Sequence, residues 1–136
     1  MGQGPTAQSP IRQSPSGHVR PGRGGFERMS RSSDIQRLFR AGRFRRTRGL
    51  KLGYAPNGLG HHRVAFAPTR SLRRAVDRNR QKRISREAYR ALVGDIAGSY
   101  DLVFVIYGDA TTTTRDRQSD MVTVLGAARL LERRSR

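Results

Sequence analysis

Six side chains that could bind phosphate recur between residues 74 and 93. On a helical wheel at 100° per residue they occupy one arc of about 140°, and the apolar residues of the same stretch occupy another. The first arc contains Arg78, Asn79, Lys82, Arg83, Arg86 and Arg90, and the second contains Ile84, Ala88, Ala91 and Leu92. Guanidinium groups donate paired hydrogen bonds to phosphate oxygens. The first arc, here called the cationic face, therefore has the chemistry of a polyanion-binding surface.

The spacing of the positive charges within the cationic face destabilises an isolated helix. Arg78, Lys82 and Arg86 follow one another at intervals of four residues, where like charges repel by about 0.2–0.5 kcal/mol per pair in an isolated helix. A phosphate backbone would neutralise these charges and release its condensed counterions, which favours binding. A solvated basic surface is the alternative explanation of such a charge run.

The composition of the whole chain favours a nucleic acid partner. Its 136 residues include 28 Lys and Arg against 10 Asp and Glu, which gives a formal net charge of +18. Only Lys51 and Lys82 are lysines, and arginine grips phosphate and stacks on bases better than lysine does. The longest apolar run, residues 102–107, is too short to span a membrane. Since the chain has no cysteine and no apolar signal segment, we expect a cytoplasmic protein.

Nuclease chemistry would need carboxylates or histidines grouped around metal ions or a nucleophile. The acids are instead scattered over different predicted elements: Asp34, Asp77, Glu87, Asp95, Asp101 and Asp109. His61 and His62 are adjacent, so a strand would direct them to opposite faces. We therefore expect neither a catalytic residue nor a directly bound metal ion in this chain.

Neighbouring elements must position the cationic face. Residues 1–26 are rich in Gly, Pro, Ser and Arg and predict a disordered tail. Ser33 and Gln36 fit a capping box that would begin a first helix, and Gly42 predicts its end. The apolar side of this helix would contain Ile35, Leu38 and Phe39. Phe39 could equally be a core residue, because it lies four positions after Ile35.

Alternating patterns then predict strands. A half-buried strand would bury Leu50, Leu52 and Tyr54. A turn at residues 56–58 and a strand at 63–67, ended by Pro68, predict an antiparallel pair. Residues 100–107, rich in Val, Ile and aromatic residues, predict a central strand that is buried on both faces.

Two further helices complete the predicted order. Residues 74–93 form the longest helical pattern, and Ser119 could cap a final helix over residues 120–134. The inward side of the final helix would contain Met121, Val124, Leu125, Ala128 and Leu131. The predicted order is helix, two or three strands, helix, strand and helix. This order is typical of a small α+β sandwich.

Residues 75–87, Ala-Val-Asp-Arg-Asn-Arg-Gln-Lys-Arg-Ile-Ser-Arg-Glu, resemble the signature of the bacterial ribonuclease P protein family. In that signature an Arg-Asn-Arg core, Lys-Arg and a further Arg occupy one helix. Residues 34–42 resemble the first helix of the family, and residues 100–105 resemble its late strand. The resemblance spans about residues 27–133, which divides the chain into a tail, residues 1–26, and a family domain, residues 27–136.

The resemblance implies an αβββαβα sandwich with a four-stranded mixed sheet and an uncommon left-handed βαβ crossover. It also implies two binding surfaces. The signature helix would face a catalytic RNA through Arg78, Asn79, Arg80, Lys82, Arg83 and Arg86. A cleft between the first helix and the sheet would hold the single-stranded 5′ leader of precursor tRNA through Ile35, Phe39 and Lys51. Ile35 stands where the family usually has an aromatic residue.

The function implied by the resemblance is that of a protein subunit of ribonuclease P, the ribonucleoprotein that removes the 5′ leader by endonucleolytic cleavage. Its partners would be the catalytic RNA and precursor tRNA, with neither membrane nor DNA. Mg²⁺ would act through the RNA subunit, and the protein alone would cut nothing. Two alternatives remain open at this point, another basic RNA-binding protein such as a ribosomal protein, and a stand-alone nuclease.

Overall fold

The computed structural model describes residues 26–107 and 111–131, which form five strands and three α-helices. The elements are β1 (Phe26–Arg28), α1 (Ser32–Ala41), β2 (Arg43–Arg46), β3 (Leu50–Pro56), β4 (His62–Pro68), α2 (Ala75–Leu92), β5 (Tyr100–Ile106) and α3 (Thr114–Ala127). A short 3-10 turn, Val93–Asp95, follows α2. The predicted α+β class is confirmed. The predicted tail lies outside the described residues except for Phe26, which begins β1.

The strands form one mixed sheet in the order β1-β4-β5-β3-β2. The central strand, β5, runs parallel to β4 and antiparallel to β3. Residues 102–106 of β5 are all buried, which confirms the prediction of a central strand covered on both faces. Because β4 and β5 are parallel neighbours, α2 is the crossover of a βαβ unit.

The predicted antiparallel pairing of the strands around the turn at residues 56–58 is wrong, because β5 lies between β3 and β4. A continuous apolar strand gains most when it is covered on both faces and paired along both edges, so β5 takes the central place. Hydrogen bonds of Asn57 hold the connection between β3 and β4 in place. Its backbone N–H donates to the Ser99 carbonyl at 3.2 Å, and its side-chain amide donates to Asp101 at 2.9 Å.

A fifth strand, β1, extends the four-stranded sheet that the resemblance implies. It pairs parallel with the start of β4, where Phe26 lies opposite His62. The Phe26 ring packs edge-on against Tyr89 of α2 at 4.9 Å between centroids. Three residues are too few to show alternation, so the sequence pattern gave no sign of β1.

Helix boundaries differ from the prediction where local hydrogen bonds decide them. Helix α1 begins one residue before Ser33, after Arg31 and without a side-chain cap, so the predicted capping box is wrong. Its predicted end is confirmed, since the Gly42 N–H donates to the Leu38 carbonyl at 2.8 Å.

Helix α3 begins at Thr114 rather than after Ser119. Thr113 and Asp116 form a reciprocal capping box, in which each side chain accepts the backbone N–H of the other. The helix ends at Ala127, short of the predicted end, and residues 132–134 lie outside the described part. Met121, Val124 and Leu125 are buried as predicted.

The two faces of the sheet carry different side chains. Large apolar residues of the strands pack under α2 and α3, among them Leu50, Leu52, Leu102, Phe104 and Ile106. The opposite face carries small residues at Gly53, Ala55, Ala65 and Ala67, where α1 packs through Leu38. Small side chains leave room above this second face, and Lys51, Ala55 and Ala67 remain partly exposed there.

Candidate nucleic-acid interface

Helix α2 buries one face against β4 and α3 and leaves the other open. Its buried residues are Gln81, Ile84, Ser85, Ala88, Tyr89 and Leu92. Ala91, predicted to be packed, is exposed, because the buried arc is centred nearer to Gln81 and Ser85 than the apolar pattern indicated. The Gln81 amide is used inside the protein, since its oxygen accepts from Arg117 at 2.9 Å and its nitrogen donates to the Thr112 carbonyl at 3.0 Å.

The structure places the predicted RNA-binding residues of α2 in two groups. Asn79, Arg80 and Arg83 are exposed, whereas Arg78, Lys82 and Arg86 are partly buried along one edge of the helix. Arg78 has a structural contact as well, because its guanidinium donates to the Leu72 and Arg73 carbonyls at 2.8 Å each. It thereby fixes the chain just before α2.

Arg86 lies in a strongly positive environment. Burial lowers the pKa of Arg86, and the charges of Arg28, Arg90 and Arg83 lower it further. Arg28 belongs to β1, so two separate elements bring cations together here. Such an arrangement is unfavourable in the free protein and becomes favourable when an anion binds.

The predicted leader cleft contains a partly exposed stack of side chains. Phe39 is 42% exposed, so it is a surface residue of α1 and not part of the core. Its ring stacks on Phe44 with 5.9 Å between centroids and 11° between planes. The Lys51 ammonium group lies 4.9 Å from the centroid of the Phe44 ring. Phe39, Phe44 and Lys51 form what we call the aromatic platform, whereas Ile35 is partly buried beside Leu38.

The sequence pattern did not indicate that Phe44 belongs to the site. It sits on β2 directly opposite Gly53 of β3, and a Cβ atom at Gly53 would lie 2.7 Å from the Phe44 ring. Only glycine lets the ring lie across the sheet at this point. The Arg-Phe-Arg-Arg run of β2 marks Phe44 as different from its neighbours, but the strand pairing that brings it to Gly53 is a tertiary feature.

A groove connects the face of the sheet that α1 covers to the cationic face. It has a volume of about 240 Å³ and is lined by Arg28, Met29, Ser30, Ile35, Ala65, Phe66, Lys82 and Arg86. Ile35 comes from α1 and Lys82 and Arg86 from α2. The structure thus brings residues of the two predicted binding surfaces together on one continuous surface.

Helix α1 is held over the sheet by an ionic network. Arg63 of β4 donates two hydrogen bonds to Asp101 of β5, at 2.8 and 2.7 Å, and one to Asp34 of α1 at 3.3 Å. Burial alone would raise the pKa of Asp101, but hydrogen bonds from Arg63 and Asn57 outweigh it and hold the pKa below its ordinary value. This network fixes the end of α1 that carries Ile35.

The two adjacent histidines point apart, as predicted for a strand. His61 Nε2 lies 2.8 Å from the Glu27 carboxylate. The buried His62 ring accepts the Tyr100 N–H at Nδ1, 3.1 Å away, which leaves its Nε2 proton for the Ile96 carbonyl at 3.2 Å. Within residues 26–107 and 111–131, no group of three or more His, Cys, Asp or Glu side chains could hold a metal ion. Asp109 lies outside the described residues.

The state of His62 predicts a pH dependence of stability. Burial lowers the pKa of His62 below its ordinary value of 6.5, so the unfolded chain binds the proton more tightly than the folded one. The free energy of unfolding should therefore be constant above about pH 6.5 and fall as the pH decreases below it. Urea unfolding between pH 7.5 and 5.5 measures this slope. A His62→Gln variant should lose that slope, and an equal slope in both proteins would exclude His62 as its source.

The fold and these surfaces define a class of small, strongly basic α+β protein with the features of an RNA-binding domain. No described helix is both long and apolar enough to cross a membrane. The sequence profile of the family Ribonuclease P matches residues 25–128. The chain therefore belongs to the ribonuclease P protein family.

Individual relatives agree with this assignment. The ribonuclease P protein component of Chloroflexus aggregans is 33% identical over 106 residues, which cover 76% of this chain and 78% of the relative. That of Caldanaerobacter subterraneus subsp. tengcongensis is 30% identical over 81 residues, covering 60% and 70%. The solved RNase P protein of Staphylococcus aureus superposes with a TM-score of 0.69 at 25% identity, covering 77% of this chain and 97% of that one. The RNase P protein of Thermotoga maritima, at 21% identity and a TM-score of 0.67, covers 74% and 96% and has the same fold.

Proposed function

We propose that this chain is the protein subunit of a ribonuclease P ribonucleoprotein. It binds the catalytic RNA through the cationic face of α2. It holds the single-stranded 5′ leader of precursor tRNA on the aromatic platform. The main support is the groove lined by Ile35, Lys82 and Arg86, which places a residue of α1, the helix that carries Phe39, beside two residues of the cationic face. An RNA strand bound on one surface can thereby continue onto the other. Removal of the leader in the cytoplasm would then yield the mature 5′ end of the tRNA.

In this proposal the protein performs no bond cleavage. Its described histidines are both bound within the protein, to Glu27 and to backbone groups of Ile96 and Tyr100. The RNA subunit with Mg²⁺ supplies the chemistry, and the protein side chains bind no metal ion directly. Cationic side chains contribute by neutralising phosphates, which lowers the Mg²⁺ concentration that the folded RNA and its substrate require.

Reconstitution tests the proposal. Combined with a bacterial ribonuclease P RNA, the protein should reduce the Mg²⁺ concentration needed for half-maximal cleavage of precursor tRNA several-fold. Alone it should leave the precursor intact at any Mg²⁺ concentration. An arginine-rich peptide of the same net charge controls for charge without fold. If the peptide works equally well, or if the protein has no effect, the chain acts as another kind of RNA-binding protein; cleavage by the protein alone would identify a nuclease.

A further inference from the structure

A pocket that contains aromatic side chains lies at the end of the sheet, where α1 and α3 both end. It has a volume of about 430 Å³, within the range of small-ligand sites. Its lining residues are Ala41, Arg43, Tyr54, Ala55, Pro56, Tyr100, Ala128, Arg129 and Leu130. The pocket contains two tyrosine rings whose centroids are 6.3 Å apart and two arginines, and no acidic residue lines it within the described ranges 26–107 and 111–131.

Both arginines of this pocket are available to a ligand. Arg43 and Arg129 are exposed, and neither guanidinium has a hydrogen-bond or ion-pair partner among residues 26–107 and 111–131. The neighbouring Arg45 differs, since its guanidinium donates to the Ala127 and Phe44 carbonyls. Two unpaired cations beside aromatic rings suit a ligand with a planar base and a phosphate.

The backbone of Arg129 gives an independent indication. Its φ of +62° lies in the left-handed region, directly after the Ala128 cap of α3, where glycine is strongly preferred. A side chain with a Cβ costs free energy in this conformation. Folding alone therefore favours glycine at position 129, and the arginine that stands there lines the pocket.

The pocket adjoins the aromatic platform along the chain. Arg43 precedes Phe44 on β2 but pairs with Tyr54, so its side chain lies on the face of the sheet opposite to Phe44. Ala41 follows Phe39 by two residues on α1 and lies at the end of the sheet between the two faces. Ala55 lines the pocket and also packs on the face of the sheet covered by α1. A strand of RNA that leaves the platform at the C-terminal end of α1 would therefore pass around the end of the sheet at Ala41 to reach this pocket.

We propose that the pocket of Tyr54, Tyr100, Arg43 and Arg129 binds one further nucleotide of the single-stranded leader, with the base against the exposed part of Tyr100 and the phosphate between the two arginines. This inference rests on the proposed binding of the leader by the aromatic platform. It extends the leader site beyond the platform to a nucleotide farther from the cleavage site.

The test uses the reconstituted holoenzyme and precursor tRNAs whose leaders grow one nucleotide at a time from two to ten. With the unmodified protein, affinity should increase with leader length up to the nucleotide that reaches the pocket. Arg129→Gly should remove the last increase, a loss of about three- to tenfold confined to long leaders, because one phosphate contact is lost. The same substitution relieves the left-handed backbone, so the variant should unfold at an equal or higher temperature. Arg43→Ala should show the same dependence on leader length.

Arg115→Ala is the matched control, because Arg115 is exposed at the opposite end of α3 and its removal changes the charge equally. Its affinities should follow the unmodified protein at every leader length. A loss in Arg129→Gly that is equal for short and long leaders, or no loss at all, would overturn the pocket assignment while leaving the platform in place. If the unmodified holoenzyme shows no dependence on leader length, the leader-binding proposal itself fails, and the pocket assignment with it.

Discussion

Replacing Lys82, Arg83 and Arg86 together by alanine is expected to weaken assembly with the catalytic RNA by about 100-fold at moderate salt. Each loses a charge-assisted contact worth roughly 1.5–3 kcal/mol, and adjacent losses are less than additive. The logarithmic dependence of affinity on salt should flatten by about two to three units, because fewer counterions are released. Binding titrations of the RNA over a series of salt concentrations measure both effects. The three substitutions change none of the buried residues of α2, so the variant should fold.

Arg78 differs from these three residues, because its side chain also stabilises the chain before α2. Because its guanidinium holds the Leu72 and Arg73 carbonyls, an Arg78→Ala variant would combine lost RNA binding with a disturbed start of α2. Arg40→Ala is the single-charge control for Arg83→Ala, since Arg40 is exposed on α1, across the sheet from α2. If Arg83→Ala and Arg40→Ala shift the salt dependence equally, only net charge matters. An unchanged slope in the triple variant would place the RNA interface elsewhere.

Local periodicity explains why α2 could be predicted well. Eighteen residues are enough for a 3.6-residue repeat to separate a packed face from a charged one. The errors in the α2 prediction come from tertiary contacts, since Gln81 and Ser85 are polar in sequence yet completely buried. The buried Gln81 amide accepts a hydrogen bond from Arg117 of α3, and Arg117 is itself buried and donates to the Gly49 carbonyl at 2.9 Å. Nothing in the sequence distinguishes this arginine from the many exposed ones.

The sheet side of the site was less predictable, because pairing between strands is not encoded locally. Phe39 and Lys51 were expected in the leader cleft, but they belong to different elements, and Phe44 of β2 brings them into one stack. Its place depends on the β2–β3 register that sets Phe44 opposite Gly53. Phe44 of β2, which is partly buried, supplies a second ring beside Phe39.

Removal of the aromatic platform is expected to abolish most of the preference of the holoenzyme for precursor over mature tRNA. A base stacked on an aromatic side chain contributes about 1–3 kcal/mol, so Phe39→Ala and Phe44→Ala should each reduce precursor affinity by about 5- to 150-fold. The double variant should lose less than the sum of the two free energies, because the rings stack on each other and bind as one surface. Affinity for mature tRNA and for the catalytic RNA should not change.

Val122→Ala provides the control for this experiment, because Val122 of α3 is 43% exposed, nearly the same as Phe39 at 42%. It should affect neither RNA. Equal losses for precursor and mature tRNA in Phe39→Ala would mean that the ring only supports α1, and the same result in Phe44→Ala would remove the platform from the leader site. The two positions separate these cases, since Phe44 lies on the edge strand β2 and Phe39 on the helix held by Arg63. A selective loss at both can arise only if the leader itself contacts the stacked rings.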